Sequence, residues 1–330
     1  MHRVSTSRRL SLIAIVIASI LAGCSKPADA PVTPPAATAT TAAETPPADA
    51  PVEDARAFKI GELSAVALRD GGLEFPNDNK IFGLGQTPEA VGALLSAAGL
   101  PTDKLQLGLQ PLLVKTSDRV LLFDTGAGTN FGPASGHLAN ALTAGSIDPQ
   151  SVTDIFISHV HGDHVGGLVN AEGALVFPNA TIHISAPEWT FLTGMSADDA
   201  KSMGLGTRDA MVAAMKAKVD AFKPGADLIP GTVKAVEVKG HTPGHSAYRI
   251  GPSGQSMLYI GDSMHHSIIS VQKPEWPMSF DGDQKTGAAS RAALLAELAK
   301  SGERVYAVHF PFPGVGKIER RGEGFVWVAE

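Results

Sequence analysis

The sequence predicts an α+β domain built from short strands that run into polar loops. Three observations point to it. First, an apolar run ends in an aspartate- or histidine-bearing loop five times, at Asp124, His159, His245, Asp262 and His309. Second, helical patterns at residues 86–100, 198–222 and 286–300 lie between and beside these runs. Third, 35 glycines and 23 prolines suit a loop-rich architecture. Strand alternation alone leaves a doubly wound sheet as open as two packed sheets.

The chain opens with a segment unlike the rest. Arg3, Arg8 and Arg9 precede an apolar stretch, Leu10 to Leu21, too short for an ordinary membrane span, so residues 1–23 read as a signal peptide. Leu21-Ala22-Gly23-Cys24 resembles a bacterial lipobox, which implies a lipidated Cys24 as the mature N-terminus. Ser25 rather than Asp after it implies export to the outer membrane, at its periplasmic face or the cell surface. Residues 24–55 are rich in Ala, Pro and Thr, lack apolar periodicity, and read as a disordered tether. Residues 56–330 remain as one domain of ample size for a core. Cys24 is the only cysteine, so no intramolecular disulfide forms. Without residues 1–23 there are 24 basic against 33 acidic residues, a net charge of −9, which gives no footing for nucleic acid.

Within the domain, residues 58–68 predict a first strand and residues 86–100 a helix ending at Gly99. Residues 111–115 and 119–123 flank Thr116-Ser117-Asp118, a hairpin signal. A loop from Phe131 leads to a helix through Leu142. Strands follow at 154–158 and 181–184, where His183 reads as structural or exposed. A short helix spans 187–192, and 198–222 reads as mostly helix, with Met203, Met211 and Met215 as packing residues. Residues 233–238, 257–260 and 304–308 predict strands, and 286–300 a helix with one apolar face.

The chemistry concentrates in Ser158-His159-Val160-His161-Gly162-Asp163-His164, after a buried, β-branched run. Three imidazoles and a carboxylate within six positions are metal-ligand types, and more of them than one ion takes from one segment. His159 and His161 sit two apart, so both point one way on an extended chain. Gly162 permits a sharp turn, and Asp163 and His164 suit the first turn of a helix.

His159-Val160-His161-Gly162-Asp163-His164 resembles the signature of the metallo-β-lactamase superfamily, and the likeness runs from about Phe58 to the C-terminus. Gly240-His241-Thr242-Pro243-Gly244-His245 and Gly261-Asp262-Ser263 continue it. The segment Phe310-Pro311-Phe312-Pro313-Gly314 is most like the branch of methyl parathion hydrolase and the quorum-quenching lactonases. The resemblance implies an αββα sandwich and two divalent ions. On that implication His159, His161 and His245 hold one ion, Asp163, His164 and His309 the other, and Asp262 bridges them. Asp124 supports the site from behind, and His241 is a structural neighbour. Zinc suits His and carboxylate donors best, with manganese, cobalt and iron also compatible. Such a pair shares a hydroxide that cleaves a lactone, ester or phosphotriester, with Asp163 and Asp262 as the catalytic carboxylates.

For the substrate pocket, Phe131, Trp189, Phe191, Phe310 and Phe312 are candidate apolar walls. His265 and His266 depart from the apolar residues of the parathion hydrolases, which favours lactones or other esters, and His265 is a candidate pocket residue. Two other readings compete. A thioesterase similar to glyoxalase II shares the ligands but calls for a basic cluster, and a non-catalytic surface lipoprotein calls for eroded ligands. Relatives in this superfamily often form homodimers, and the expected membrane contact is the lipid at Cys24.

Overall fold

The computed structural model describes residues 53–330. The signal peptide, Cys24 and most of the tether lie outside the described residues.

Strands β1 (Ala55–Ile60) and β2 (Leu63–Leu68) form a hairpin, where one strand over 58–68 was expected. Gly61, at φ 56°, turns the chain between them. Strands β3 (Gly71–Pro76) and β4 (Lys104–Leu109) pair with each other across helix α1 (Pro88–Ala97). Thr87 caps α1 by accepting the Ala90 amide at 3.2 Å, and Pro88 starts it. Strands β5 (Leu112–Lys115) and β6 (Val120–Phe123) are the expected hairpin. Helix α2 (Leu138–Ala144), β7 (Asp154–Phe156), α3 (Gly162–Val165), β8 (Thr181–Ser185) and α4 (Ala186–Gly194) follow.

The stretch 198–222 is not one helical run. It divides into α5 (Ala197–Ser202), α6 (Arg208–Met215) and β9 (Val219–Phe222). Gly204 (φ 72°) breaks the helical repeat, and Val219 to Phe222 pair in parallel with β8. The second half contains β10 (Asp227–Ile229), β11 (Val233–Glu237), β12 (Ser246–Ile250) and β13 (Met257–Tyr259). Helices α7 (Ile269–Gln272) and α8 (Gln284–Ser301), then β14 (Arg304–Tyr306), β15 (Val315–Arg321) and β16 (Gly324–Ala329), complete it. Asp283 caps α8 by accepting the Thr286 amide at 3.0 Å, and Gly302 ends it in the left-handed region.

The strands make two seven-stranded sheets, β1-β2-β5-β6-β7-β8-β9 and β10-β11-β12-β13-β14-β15-β16. Period-two alternation divides their side chains. Leu121, Phe123 and Phe156 of the first sheet meet Tyr248, Met257 and Tyr259 of the second in the central core. Leu122 and Ile155 point outward against α2, α4 and α6, through Leu142, Leu192 and Met211. Leu258 and Val305 point outward against Leu294, Leu295 and Leu298 of α8. This is the four-layer αββα sandwich that the resemblance implied. A fourth cluster, Phe82, Val91, Leu95, Leu105, Leu107 and Ile269, joins α1, the β3–β4 hairpin and α7 beside the sandwich. Among the described residues no helix is long and apolar enough to cross a membrane.

Candidate metal centre and active site

Parallel pairing sets the site. Strands β6 and β7 run side by side and end together, which brings Asp124 against the 158–164 loop. Strands β13 and β14 do the same in the other sheet, which brings Asp262 beside His309. The loop after β11 closes the ring with His241.

Two groups of ligand atoms result. In the first, His159 Nε2 lies 3.0 Å from His161 Nδ1, and His241 Nε2 lies 3.1 and 3.0 Å from these two. Asp262 Oδ2 faces this group, 3.3 Å from His241 Nε2 and 3.5 Å from His159 Nε2. In the second, Asp163 Oδ2 lies 3.6 Å from His164 Nε2 and 3.7 Å from His309 Nε2, with 3.3 Å between the two imidazoles. Asp262 Oδ1 faces them at 3.1 and 3.0 Å. One carboxylate thus offers an oxygen to each group. Within each group all ligand atoms lie within 4.8 Å of one another.

The second motif loop departs from expectation. His241, read as a neighbour, is in the first group, and His245, read as the ligand, is not. His245 Nε2 accepts the Asp262 amide at 2.9 Å and its Nδ1 donates to the Val238 carbonyl at 3.2 Å, so both ring nitrogens serve the backbone.

Most of the convergent imidazoles are fixed from behind, as metal-bound histidines are. Asp124 Oδ2 accepts from His164 Nδ1 at 2.7 Å and also from Ser158 Oγ and Tyr259 Oη. Asp281 accepts from His241 Nδ1 at 3.1 Å and is backed by the buried Arg291 at 3.3 Å. His309 Nδ1 donates to the Gly108 carbonyl at 2.9 Å. Asp281 and Arg291 carry no motif signal; only the contact of Asp281 with the ligand loop on one side and with Arg291 of α8 on the other reveals them.

Electrostatics agree with a cation site. Burial and the charge of neighbouring imidazoles push His159 and His161 well below the usual histidine range, which leaves their lone pairs free. Burial opposes a charged His241, but Asp262 and Asp281 outweigh it and hold the group up to about 9. Burial, then the charge at His241, pushes His245 down to about 3. The carboxylates therefore attract positive charge into this space. Asp262 Oδ1 is buried and makes no hydrogen bond, although two imidazole nitrogens stand within 3.1 Å. A cation between the facing donors satisfies the oxygen and the nitrogens together, so the residues fit two divalent ions.

The site floors a cavity of about 830 Å³. Phe131, Phe191 and His265 line it, as do Leu73, Phe75, Leu107, Met203 and Phe280, which the sequence did not single out as walls. Three expected walls lie elsewhere. Trp189 packs against the outer core, Phe310 is buried edge-on to Trp327 at 5.0 Å, and Phe312 lies under the Arg69 guanidinium. His265 is buried with Nε2 3.0 Å from Asp262 Oδ2, and its ring stacks on His309. His266 turns away, its Nδ1 accepting the Ile268 and Ile269 amides at the start of α7. His183 is structural, set between Asp154 and Asp220 at 2.9 Å each.

Residues 111–309 match the metallo-beta-lactamase superfamily, and the chain belongs to that superfamily. Among solved structures it is similar to AidC, a dizinc quorum-quenching lactonase in complex with a product. The TM-score is 0.78 at 28% identity, over 84% of this chain and 99% of that one. It is also similar to the hydrolase AbOPH, with TM-score 0.76 and 27% identity over 85% and 99%. A quorum-quenching N-acyl homoserine lactone lactonase, at 19% identity and TM-score 0.54 over 76% and 97%, shares the fold. No curated protein matches the sequence.

Proposed function

We propose that the chain is a dinuclear metal-dependent hydrolase of lactones or related carboxylic esters. The observation that carries this is Asp262, which turns one oxygen to each histidine group at the floor of a largely apolar cavity. His159, His161 and His241 would hold one ion, and Asp163, His164 and His309 the other, with Asp262 between them. Two divalent ions, zinc on the character of the donors, supply a water activated at neutral pH and an electrophile for the carbonyl. The chain's own groups do the rest. Phe75, Phe131, Phe191 and Phe280 hold the apolar part of the substrate and exclude water. Asp163 reaches the cavity with its side chain 12% exposed, placed to take the proton of the attacking water and pass it to the leaving alkoxide oxygen. The imidazole of His265 beside Asp262 suits a polar carbonyl. The likeness to AidC favours lactones, and the resemblance of the Phe310–Gly314 segment to the methyl parathion hydrolase branch keeps phosphotriesters as a second substrate class.

A thioesterase for anionic conjugates is disfavoured by the walls. Lys239 is the one lysine or arginine among the lining residues, and Asp283 lines the same pocket. The test is turnover by the purified full-length protein, with zinc, of an acyl-homoserine lactone, an aryl ester, a phosphotriester, a glutathione thioester and a β-lactam. Lactone or ester turnover that falls at least about 10²-fold in His164→Ala is expected. Equal turnover in the variant, or a preference for the thioester, overturns the reading.

A further inference from the structure

Glu188 is fully buried, and its partners are neutral donors. Its Oε1 accepts the Val160 amide at 2.9 Å. Its Oε2 accepts the Gly244 amide at 2.8 Å and the Thr242 hydroxyl at 2.9 Å. Val160 stands between His159 and His161, and Thr242 follows His241. One carboxylate therefore ties together the two loops that carry all three histidines of the first group.

Local sequence shows that this is a diverted role. Ser185-Ala186-Pro187-Glu188 has the form of a capping box, in which the glutamate reaches back to the amide of the capping serine. Here Ser185 Oγ accepts the Glu188 amide at 3.3 Å, so half of the box is present. Ser185 itself belongs to β8, in register with Phe222 of β9, and the Glu188 carboxylate turns the other way, towards the ligand loops. Ser185 Oγ also donates to the Gly244 carbonyl at 2.6 Å, so the second loop is held twice at one residue. A Cβ at Gly244 would overlap the Glu188 amide and Ser185 Oγ, and only glycine lets the loop come this close. Burial works against an ionised carboxylate there and raises its pKa, and the three donors offset part of that cost.

We propose that Glu188 is the positioning residue of the first metal group: its carboxylate sets the distance from His159 and His161 to His241, and with it the affinity for one of the two ions. The proposal rests on the metal centre inferred above. In Glu188→Gln one acceptor becomes an NH2 that confronts the Gly244 amide. Full-length protein stripped of metal is titrated with Zn²⁺ against a chromophoric chelator, alongside urea unfolding of the metal-free form. One of the two zinc constants is expected to weaken about 10- to 100-fold while the other stays near wild type. Thr242→Val, which deletes one donor and keeps the shape, is expected to give a smaller loss at the same ion. A packing role alone would move the metal-free unfolding midpoint and leave both zinc constants as in the wild type. That result in Glu188→Gln, or in Thr242→Val should the first variant not fold, overturns the proposal. Wild-type protein that binds no zinc would refute the metal centre itself and this proposal with it. Normal zinc binding without turnover of any substrate would refute only the hydrolase reading.

Discussion

The exchange of roles between His241 and His245 is decided by single side chains. Both lie in one glycine-containing loop, four residues apart, and nothing in their spacing ranks one above the other. What ranks them is the packing of Gly244 onto Glu188 and Ser185, which turns His241 towards the cavity and His245 back to Val238. His241→Ala should therefore lose one of two bound ions, read by metal analysis. His245→Gln should keep both and lose about 1–3 kcal/mol of stability to urea, because the Asp262 amide and Val238 carbonyl lose a fitted partner. An ion lost from the His245 variant and kept by the His241 variant would restore the sequence-based assignment. The tight run from His159 to His164 was legible because its spacing admits little else. Asp281 and Arg291 were not, because a buried charge far along the chain leaves no local pattern, and the local pattern around Glu188 is that of a helix start and points away from the ligand loops.

At the scale of elements, strands that are short continuous apolar runs, such as β5, β6 and β13, were readable, and those interrupted by glycine or charge, such as β3, β4 and β15, were not. Residues 198–222 misled because alanine, lysine and methionine keep a helical period up to Val219, where pairing with β8 takes over. Helix α7 carries a testable device. His266 caps its first turn, and burial pushes this imidazole down to about 4. In the unfolded chain it titrates near 6.5. Its contribution is therefore complete above pH 6.5 and is lost as the pH falls towards 4, as the unfolded chain takes up the proton first. Between pH 7.5 and 5 this amounts to about 2 kcal/mol. In His266→Asn an acceptor oxygen remains but does not titrate. Urea unfolding of metal-free protein at the two pH values should show a loss smaller by about that amount in the variant. Equal losses in both proteins would remove His266 from the acid response.

For the whole molecule, the sandwich was legible only through the resemblance, because alternation does not tell two packed sheets from one doubly wound sheet. The packing answers it: Phe123 and Phe156 stack within the first sheet and face Tyr248 of the second. The 275 residues from Arg56 onward hold the site, and the remaining chain bears on where the enzyme works. We propose that Cys24 carries a lipid and that the tether holds the catalytic domain off a membrane. Cys24→Ser should move the protein from the membrane fraction to the soluble fraction with activity intact; a variant still in the membrane fraction would refute the anchor.

The β3–β4 hairpin pairs with neither large sheet, yet Leu73, Phe75 and Leu107 on it form part of the cavity wall. It is fastened to the reacting end at Gly108, whose amide donates to the His309 carbonyl and whose carbonyl accepts from His309 Nδ1. On the proposed function, the surface that meets the variable part of a substrate is thus encoded apart from the groups that react with it. Selection for a new substrate can act on the outer residues of one hairpin while Gly108 keeps His309 in place. That separation makes the chain a practical starting point for directed evolution of substrate range, with libraries confined to Leu73, Phe75 and Leu107.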